Sequence, residues 1–464
     1  MNDDLEEVPG SFRDPSGFLF FKNKKLYRLV NKVYKEHYDH LIKSGLYKTL
    51  TESNLLVRHK EPDTSLAKAE AIYKVIKPEP ISFISYPYEW CFGQLKDAAL
   101  TTIKIQKIAL EFGMSLKDAS AYNIQFVNGK PIFIDTLSFE KLKEGKPWVA
   151  YRQFCQHFLG PLTLMSHKDL RLNQLLKTSI DGIPLDLTSK ILPFYTRFIP
   201  GLAMHIHVHA FSQKYFSSKT VRINRKKIRH RSYVGLMDHL ESTIRKIKFR
   251  LKETEWADYY DKTNYSPEAH EHKKQILEDF LSIINPNEVW DLGANIGIFS
   301  RIASKKGIKT VSFDIDSVAV EKNYQECIAK NETNILPLLL DLTNPSPAIG
   351  WENRERMSLI ERGPTDTVFA LALLHHLAIS NNLPLDKIAS FLKKICQSLI
   401  IEFIPKSDSQ IQRLLSTRED IFSNYTQKNF EKEFGRCFKI CRVVKIKNSK
   451  RILYLMQVKD KKIA

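Results

Sequence analysis

A chain of 464 residues is long enough for two or three domains with full cores. Its 43% hydrophobic and 11% aromatic content excludes global disorder, and no stretch reaches the length of an uninterrupted transmembrane segment. The formal net charge of +19 admits nucleic acid, anionic lipid or an acidic substrate as a partner.

The first residues, Met1 to Gly10, are acidic and carry no apolar run, so no signal peptide is expected. The cysteines, Cys91, Cys155, Cys327, Cys396, Cys437 and Cys441, lack metal spacing and read as reduced thiols in a cytoplasmic protein. Residues 1–215 read as a region of mixed α and β character. Apolar spacing at Ile103, Ile105, Ile108, Ala109 and Phe112 predicts a helix from Leu100 to Phe112. Asp118 and Asn123 follow it. A hairpin is predicted next, Ile124 to Val127 and Pro131 to Ile134 around an Asn128-Gly129 turn, with Asp135 at its end. Taken alone, these Asp and Asn side chains are turn caps. His205, His207 and His209 alternate, which on a strand would put three imidazoles on one face. Imidazole suits zinc, copper or iron, but no carboxylate or cysteine lies close by in sequence, and a packing role is the preferred reading.

Much of the positive charge falls between Lys214 and Lys252. Residues 216–254 therefore read as a basic connector, a linker plus a basic helix. Such a run faces water or meets nucleic acid, although no RNA-binding motif accompanies it.

From about residue 255 the pattern changes to apolar strands alternating with helices, which predicts a parallel sheet with crossover helices. A strand runs through Val289 into Asp291, and Gly293 and Gly297 bracket a turn before a helical run from Ile298. The G-x-x-x-G spacing is not the three-glycine dinucleotide pattern, and without a following Lys-Ser or Lys-Thr it is not a phosphate-cradling loop. A second strand, Lys309 to Asp314, ends in a carboxylate about twenty positions on, where a ribose diol would need an acceptor. Asp316 and Ser317 supply a helix start. A third strand, Ile335 to Leu340, ends at Asp341; a fourth, Thr367 to Leu374, at His375 and His376; a fifth, Ser398 to Ile404, carries Glu402.

The segments VWDLGANIGIFS, VSFDID, LLLDL and ALLHHL resemble, in order and spacing, the successive motifs of the class I S-adenosylmethionine-dependent methyltransferases. The resemblance implies a Rossmann-like, mostly parallel seven-stranded sheet over residues 255–464, with S-adenosyl-L-methionine as cofactor. By that resemblance Asp291, Gly293, Ala294, Asn295 and Gly297 form the cofactor loop, Asp314 binds the ribose hydroxyls and Asp341 lies beside the adenine. Asp316 is then a helix cap. Trp256 to Ser266 resembles the aromatic lead-in that closes over the cofactor. His375, His376 and Glu402 are the candidate catalytic groups, and Lys406, Asp408 and Arg413 lie where an acceptor would be met. The Asn/Asp-Pro-Pro-Tyr signature of base amino methylation is absent.

Asp118, Asn123, the hairpin and Asp135 resemble the catalytic loop of kinase-like and aminoglycoside-phosphotransferase folds. There they would be base and metal ligands, in an α+β N-terminal domain. Ile81 to Trp90 resembles the strand entering the hinge of that fold, and Arg58 stands for its third-strand lysine. Leu116 and Thr136-Leu137 depart from the family pattern. The long N-terminal region also resembles that of bacterial methyltransferases associated with nodulation or surface polysaccharides. It implies a small-molecule or carbohydrate-linked acceptor and O-methylation. The alternatives are a bifunctional kinase-like and methyltransferase protein, or an RNA-binding methyltransferase or scaffold using the basic connector.

Overall fold

The computed structural model describes residues 5–62, 71–212, 230–249, 266–416 and 419–459. The chain divides into two compact units, Met1–Arg250 with Ala348–Arg356, and Leu251–Pro347 with Met357–Ala464.

The N-terminal unit is α+β. Strands β1 (Leu5–Glu7), β2 (Leu19–Lys22), β3 (Lys25–Asn31), β4 (His59–Lys60) and β5 (Ile72–Pro78) form an antiparallel sheet in the order β1-β2-β3-β5-β4. The predicted helix is longer than its periodicity suggests, running Phe92–Glu111. Ile81 to Trp90 is not a strand. The ladder ends at β5, and only a short helical turn, Pro87–Glu89, follows. Pro78, Pro80 and Pro87 each remove a ladder donor. A short ladder, β6 (Met114–Leu116) with β9 (Phe139–Lys141), encloses the predicted hairpin of β7 (Ile124–Val127) and β8 (Lys130–Phe133). Asn128 (φ 51°) and Gly129 (φ 73°) are both left-handed, as a two-residue hairpin turn requires.

Two segments expected elsewhere belong to this unit. Within the predicted 216–254 connector, His230–Lys246 is a helix that buries Tyr233, Met237, Leu240 and Ile244. That stripe recurs every three or four residues beneath the basic residues, and a charge count hides it. Lys107 on the long helix pairs with Asp238 and Glu241, both at 2.6 Å. The rest of the connector, 216–229 and 250–254, lies outside the described residues, as do residues 256–265 of the aromatic lead-in. The second segment is Ala348–Arg356. Its Glu355 takes a bidentate pair from Arg13 (2.6 and 2.9 Å), and Arg356 stacks over Tyr122 at 4.2 Å.

The alternating histidines lie on a helical turn, Ala203–Val208, and not on a strand. Pro200 and Gly201 open that helix, with proline in the first turn where its missing N–H costs nothing. His205 and His209 therefore share one face, at Tyr151, and His207 points away from them. His205 bridges the Tyr151 hydroxyl (2.6 Å) and His239 (2.8 Å), His207 meets Ser189 and Thr196, and His209 stacks on Tyr151. Among the described residues, no group of three His, Cys, Asp or Glu side chains converges as a metal site.

The C-terminal unit is α/β. Its strands are β10 (Glu288–Leu292), β11 (Lys309–Asp314), β12 (Ile335–Leu339), β13 (Thr365–Ala370), β14 (Cys396–Phe403), β15 (Phe438–Lys445) and β16 (Ile452–Val458). They form one seven-stranded sheet in the order β12-β11-β10-β13-β14-β16-β15, parallel from β12 to β14, with β16 antiparallel to both neighbours. Side chains alternate across it. Val289, Phe369, Ile400 and Leu453 join the core under the helix Pro267–Ile284. On the opposite face Tyr454 packs edge-on against Phe430 of the helix Gln427–Cys437, 5.0 Å between centroids. The strand order reverses between β10 and β13, and in an open α/β sheet the ligand crevice lies beyond the carboxyl ends at that point.

A candidate cofactor crevice at the strand tips

The loop after β10 is held by hydrogen bonds written into its own sequence. Gly293 (φ 75°), Asn295 (φ 51°) and Gly297 (φ 78°) are left-handed, and Gly293 and Ala294 both donate backbone N–H to the Phe313 carbonyl at 2.9 Å. The helix that follows begins at Ser300, two positions later than expected. The two glycines differ in purpose. A Cβ on Gly293 would meet only Leu373, at 3.4 Å, so this turn stays open for close approach of a ligand. A Cβ on Gly297 would fall 2.6 Å from both side-chain amide atoms of Asn323. Gly297→Ala is therefore expected to lower stability by about 1–3 kcal/mol, from a strained φ plus overpacking. Urea unfolding checks this, and a change under 0.5 kcal/mol would contradict the packing role.

Asp291 is buried and accepts from the Ser300 hydroxyl at 2.6 Å. It braces the loop from beneath, and burial raises its pKa to about 6. Asp314 stands at the tip of β11. Its two oxygens accept the backbone N–H groups of Asn295 (2.7 Å) and Asp316 (2.8 Å), and burial raises its pKa to about 6 as well. A carboxylate oxygen has two acceptor sites, so each keeps one for a further donor. Asp316 caps the helix Ser317–Ala329 by accepting from Val318 and Ala319, as expected. Asp341 follows β12 and accepts from the Thr343 backbone and hydroxyl. A left-handed open turn beside a carboxylate with spare acceptor sites fits a ribose-bearing cofactor.

The loop after β13 supplies the remaining groups. Strand β13 stops at Ala370, four residues short of its predicted end, and Ala372 takes a left-handed φ of 50°. His375 is buried against His376, 4.1 Å between ring centroids, and its Nδ1 has no hydrogen-bond partner among the described residues. Burial holds His375 well below the ordinary imidazole range and brings His376 to about 4.

Glu402 is not placed to act as a base. It is fully buried and accepts from the Lys273 ammonium at 2.7 Å and the Ala372 N–H at 2.9 Å, with Arg451 at 3.7 Å. It braces the loop that carries the histidines. Asp408 is also committed, to Arg451 (2.8 Å) and to the cap of the helix Ser409–Leu415, while Lys406 pairs with Asp420. Sequence reasoning overlooked Lys273. Its signal was a lysine on the apolar stripe of Ala269, Ile276, Leu277 and Phe280. Arg451 and Ala372 left no such signal.

In the N-terminal unit Asp118, Asn123 and Asp135 do come together. Ser138 donates to Asp135 (2.8 Å) and accepts from Asn123 (3.3 Å), while Asp118 caps Ser120. Asp135, however, is neutralised by Arg28 of β3 at 2.7 Å and also caps Leu137. Arg28 holds the position assigned to Arg58, which among the described residues reaches the Thr51 carbonyl. A metal ion at Asp135 would have to displace that guanidinium.

No protein-family model matches the chain. Among solved structures, the crystal structure of WbdD is similar at 16% identity over 43% of this chain and 42% of that one, with a TM-score of 0.29. The magnesium protoporphyrin IX methyltransferase (ChlM) of Synechocystis PCC 6803 is similar at 17% identity over 44% and 92%, with a TM-score of 0.30. Nodulation protein NoeA of Rhizobium meliloti (strain 1021) is 33% identical over 458 residues, 97% of this chain and 96% of that protein. The strand order and loop chemistry make the C-terminal unit a class I methyltransferase domain, and the chain as a whole belongs to the NoeA family of nodulation proteins.

Proposed function

We propose that the protein transfers a methyl group from S-adenosyl-L-methionine to a hydroxyl group of a carbohydrate-linked acceptor. The observation that carries this reading is the Asp314 carboxylate at the β11 tip, braced by two backbone N–H groups beside the open turn at Gly293. When bound, the cofactor supplies an activated methyl group on a sulfonium sulfur. Asp314 accepts the ribose hydroxyls, Asp341 borders the adenine, and the Gly293–Asn295 turn lets the backbone approach. His375 takes the proton of the attacking hydroxyl. Burial keeps it neutral, the state a base needs, but also lowers its basicity by disfavouring the charged form. The absence of the base-amino signature after β13 and the kinship with a nodulation protein favour oxygen over a nucleobase nitrogen.

Methyl transfer from radiolabelled cofactor to hydroxyl-bearing oligosaccharides is the direct test. His375→Gln is expected to lower kcat by about 10²–10³-fold while affinity for S-adenosylhomocysteine stays within about twofold, as removal of a proton acceptor alone would do. A kcat within threefold of wild type would remove His375 from the chemistry. Failure of the wild type to retain the cofactor would remove the whole reading.

A further inference from the structure

A cavity of about 400 Å³ opens in the N-terminal unit between Trp148, Tyr151, Met204 and one face of the helix His230–Lys246. Ser232, Gly235, Leu236 and His239 line it at i, i+3, i+4 and i+7 of that helix. Gly235 lies in the helix interior, where glycine weakens a helix relative to alanine, yet a Cβ there would meet nothing within 4 Å. Close packing therefore does not require this glycine. What it keeps is room above the helix.

The wall spends its polar groups inward. Trp148 donates its indole N–H to the Leu116 carbonyl at 2.8 Å, the Tyr233 hydroxyl meets Ser115 at 3.2 Å, and the Tyr151 hydroxyl meets His205 at 2.6 Å. These bonds leave the rings to face the cavity as apolar surface. His239 is different. Its Nδ1 lies 2.8 Å from His205 Nε2, and its Nε2 has no hydrogen bond among the described residues. Burial lowers the His205 pKa to about 4, so that ring is neutral and the chain through it runs in one of two directions. If Tyr151 donates to His205, His239 presents Nε2–H; in the reverse order it presents a lone pair. A hydroxyl group, which donates and accepts, satisfies either order.

An apolar cavity of this volume with one placed polar atom has the form of a small-molecule site. Benzene fills a cavity of about 150 Å³, so this one takes roughly two or three rings. Walls built from Trp148, Tyr151 and Tyr233 suit ring faces and edges, and the thioether of Met204, 45% exposed, can adjust to them.

We propose that this cavity binds a small aromatic molecule of two or three rings carrying one hydroxyl, which His239 Nε2 engages. The test titrates the full chain into a fixed low concentration of 2-naphthol or of naphthalene and reads ligand fluorescence. Wild type should bind 2-naphthol saturably at one site with a Kd of roughly 10–100 µM, and naphthalene about five- to tenfold more weakly. His239→Phe keeps a ring but removes Nε2. It should lose the preference for 2-naphthol while naphthalene binding stays within about twofold, which controls for the fold. Gly235→Leu fills the space and should lose about tenfold or more for both ligands, with a melting temperature no lower than that of wild type. No saturable 2-naphthol binding by wild type up to about 300 µM protein would overturn the proposal. So would a Gly235→Leu variant that binds like wild type, or a His239→Phe variant that keeps the full preference for 2-naphthol.

Discussion

Asp314→Ala is expected to weaken binding of S-adenosylhomocysteine by about 2–3 kcal/mol, a loss of roughly 30- to 150-fold. The carboxylate does two jobs at once. It holds the N–H groups of Asn295 and Asp316, which shape the loop, and it keeps one acceptor site on each oxygen, which the proposed function assigns to the ribose diol. Asp314→Asn keeps the size and separates these jobs. It should lose most of the affinity, because an amide offers one acceptor oxygen where the carboxylate offers two.

The pH dependence has a definite sign. Burial raises the Asp314 pKa to about 6, and the ionised form is the one a diol binds. Wild-type affinity should therefore fall as pH drops through about 6, and Asp314→Asn should be flat there. Stability of the free protein runs the other way. The folded state holds this proton more tightly than the unfolded chain, so ionised Asp314 opposes folding above pH 6 and the cost is relieved as pH falls. Asp291, also raised to about 6 by burial, adds a stability trend of the same sign, so the affinity trend and its loss in Asp314→Asn identify the group. Calorimetry across pH 5–8 settles it, and an Asp314→Ala affinity within twofold of wild type would remove the ribose role.

The second large effect is on stability. Lys273→Met should destabilise the C-terminal unit by about 3–5 kcal/mol, because it strips a fully buried carboxylate of its ammonium partner 2.7 Å away. Burial already pulls the Lys273 pKa down, and Glu402 is its chief counterweight. The pair also controls the crevice. Glu402 receives the N–H of Ala372, whose left-handed φ of 50° is unfavourable for a residue with a Cβ by about 1–2 kcal/mol. Without that acceptor the Leu371–His376 loop should relax, and cofactor affinity should fall along with the unfolding midpoint. The double variant Lys273→Met/Glu402→Gln should be less damaging than the sum of the singles by about 1 kcal/mol or more, since neither leaves a lone charge. Strict additivity, or a Lys273→Met loss below about 1 kcal/mol, would show that the pair does not brace the loop.

Elements whose cause lies within a few residues were legible in the chain itself. The Asn128-Gly129 hairpin, the left-handed glycine turn after β10, the carboxylate at Asp314 and the cap at Asp316 all follow from local backbone geometry and short-range hydrogen bonds. Strand β11 ran as its alternation of helix and strand patterns indicated. Errors arose where local sequence supports two geometries. HIHVHA alternates like a strand but continues a proline-initiated helix, and ISFISYPYEW is apolar but follows Pro78 and Pro80 and contains Pro87.

What the sequence by itself determined is the α/β alternation, the left-handed glycine loop after β10 and the carboxylates at the strand tips. Only the tertiary structure decided which charged groups are spent on one another. Glu402 meets Lys273 across 129 residues, Asp408 meets Arg451 across 43, and Arg13 meets Glu355 across 342. Arg28 likewise silences Asp135 from a distant strand. A turn or a cap is a local balance of sterics and hydrogen bonds, so its residues announce it. A buried ion pair depends on which elements the sheet order and helix packing bring within about 3 Å, and no spacing within one segment encodes that.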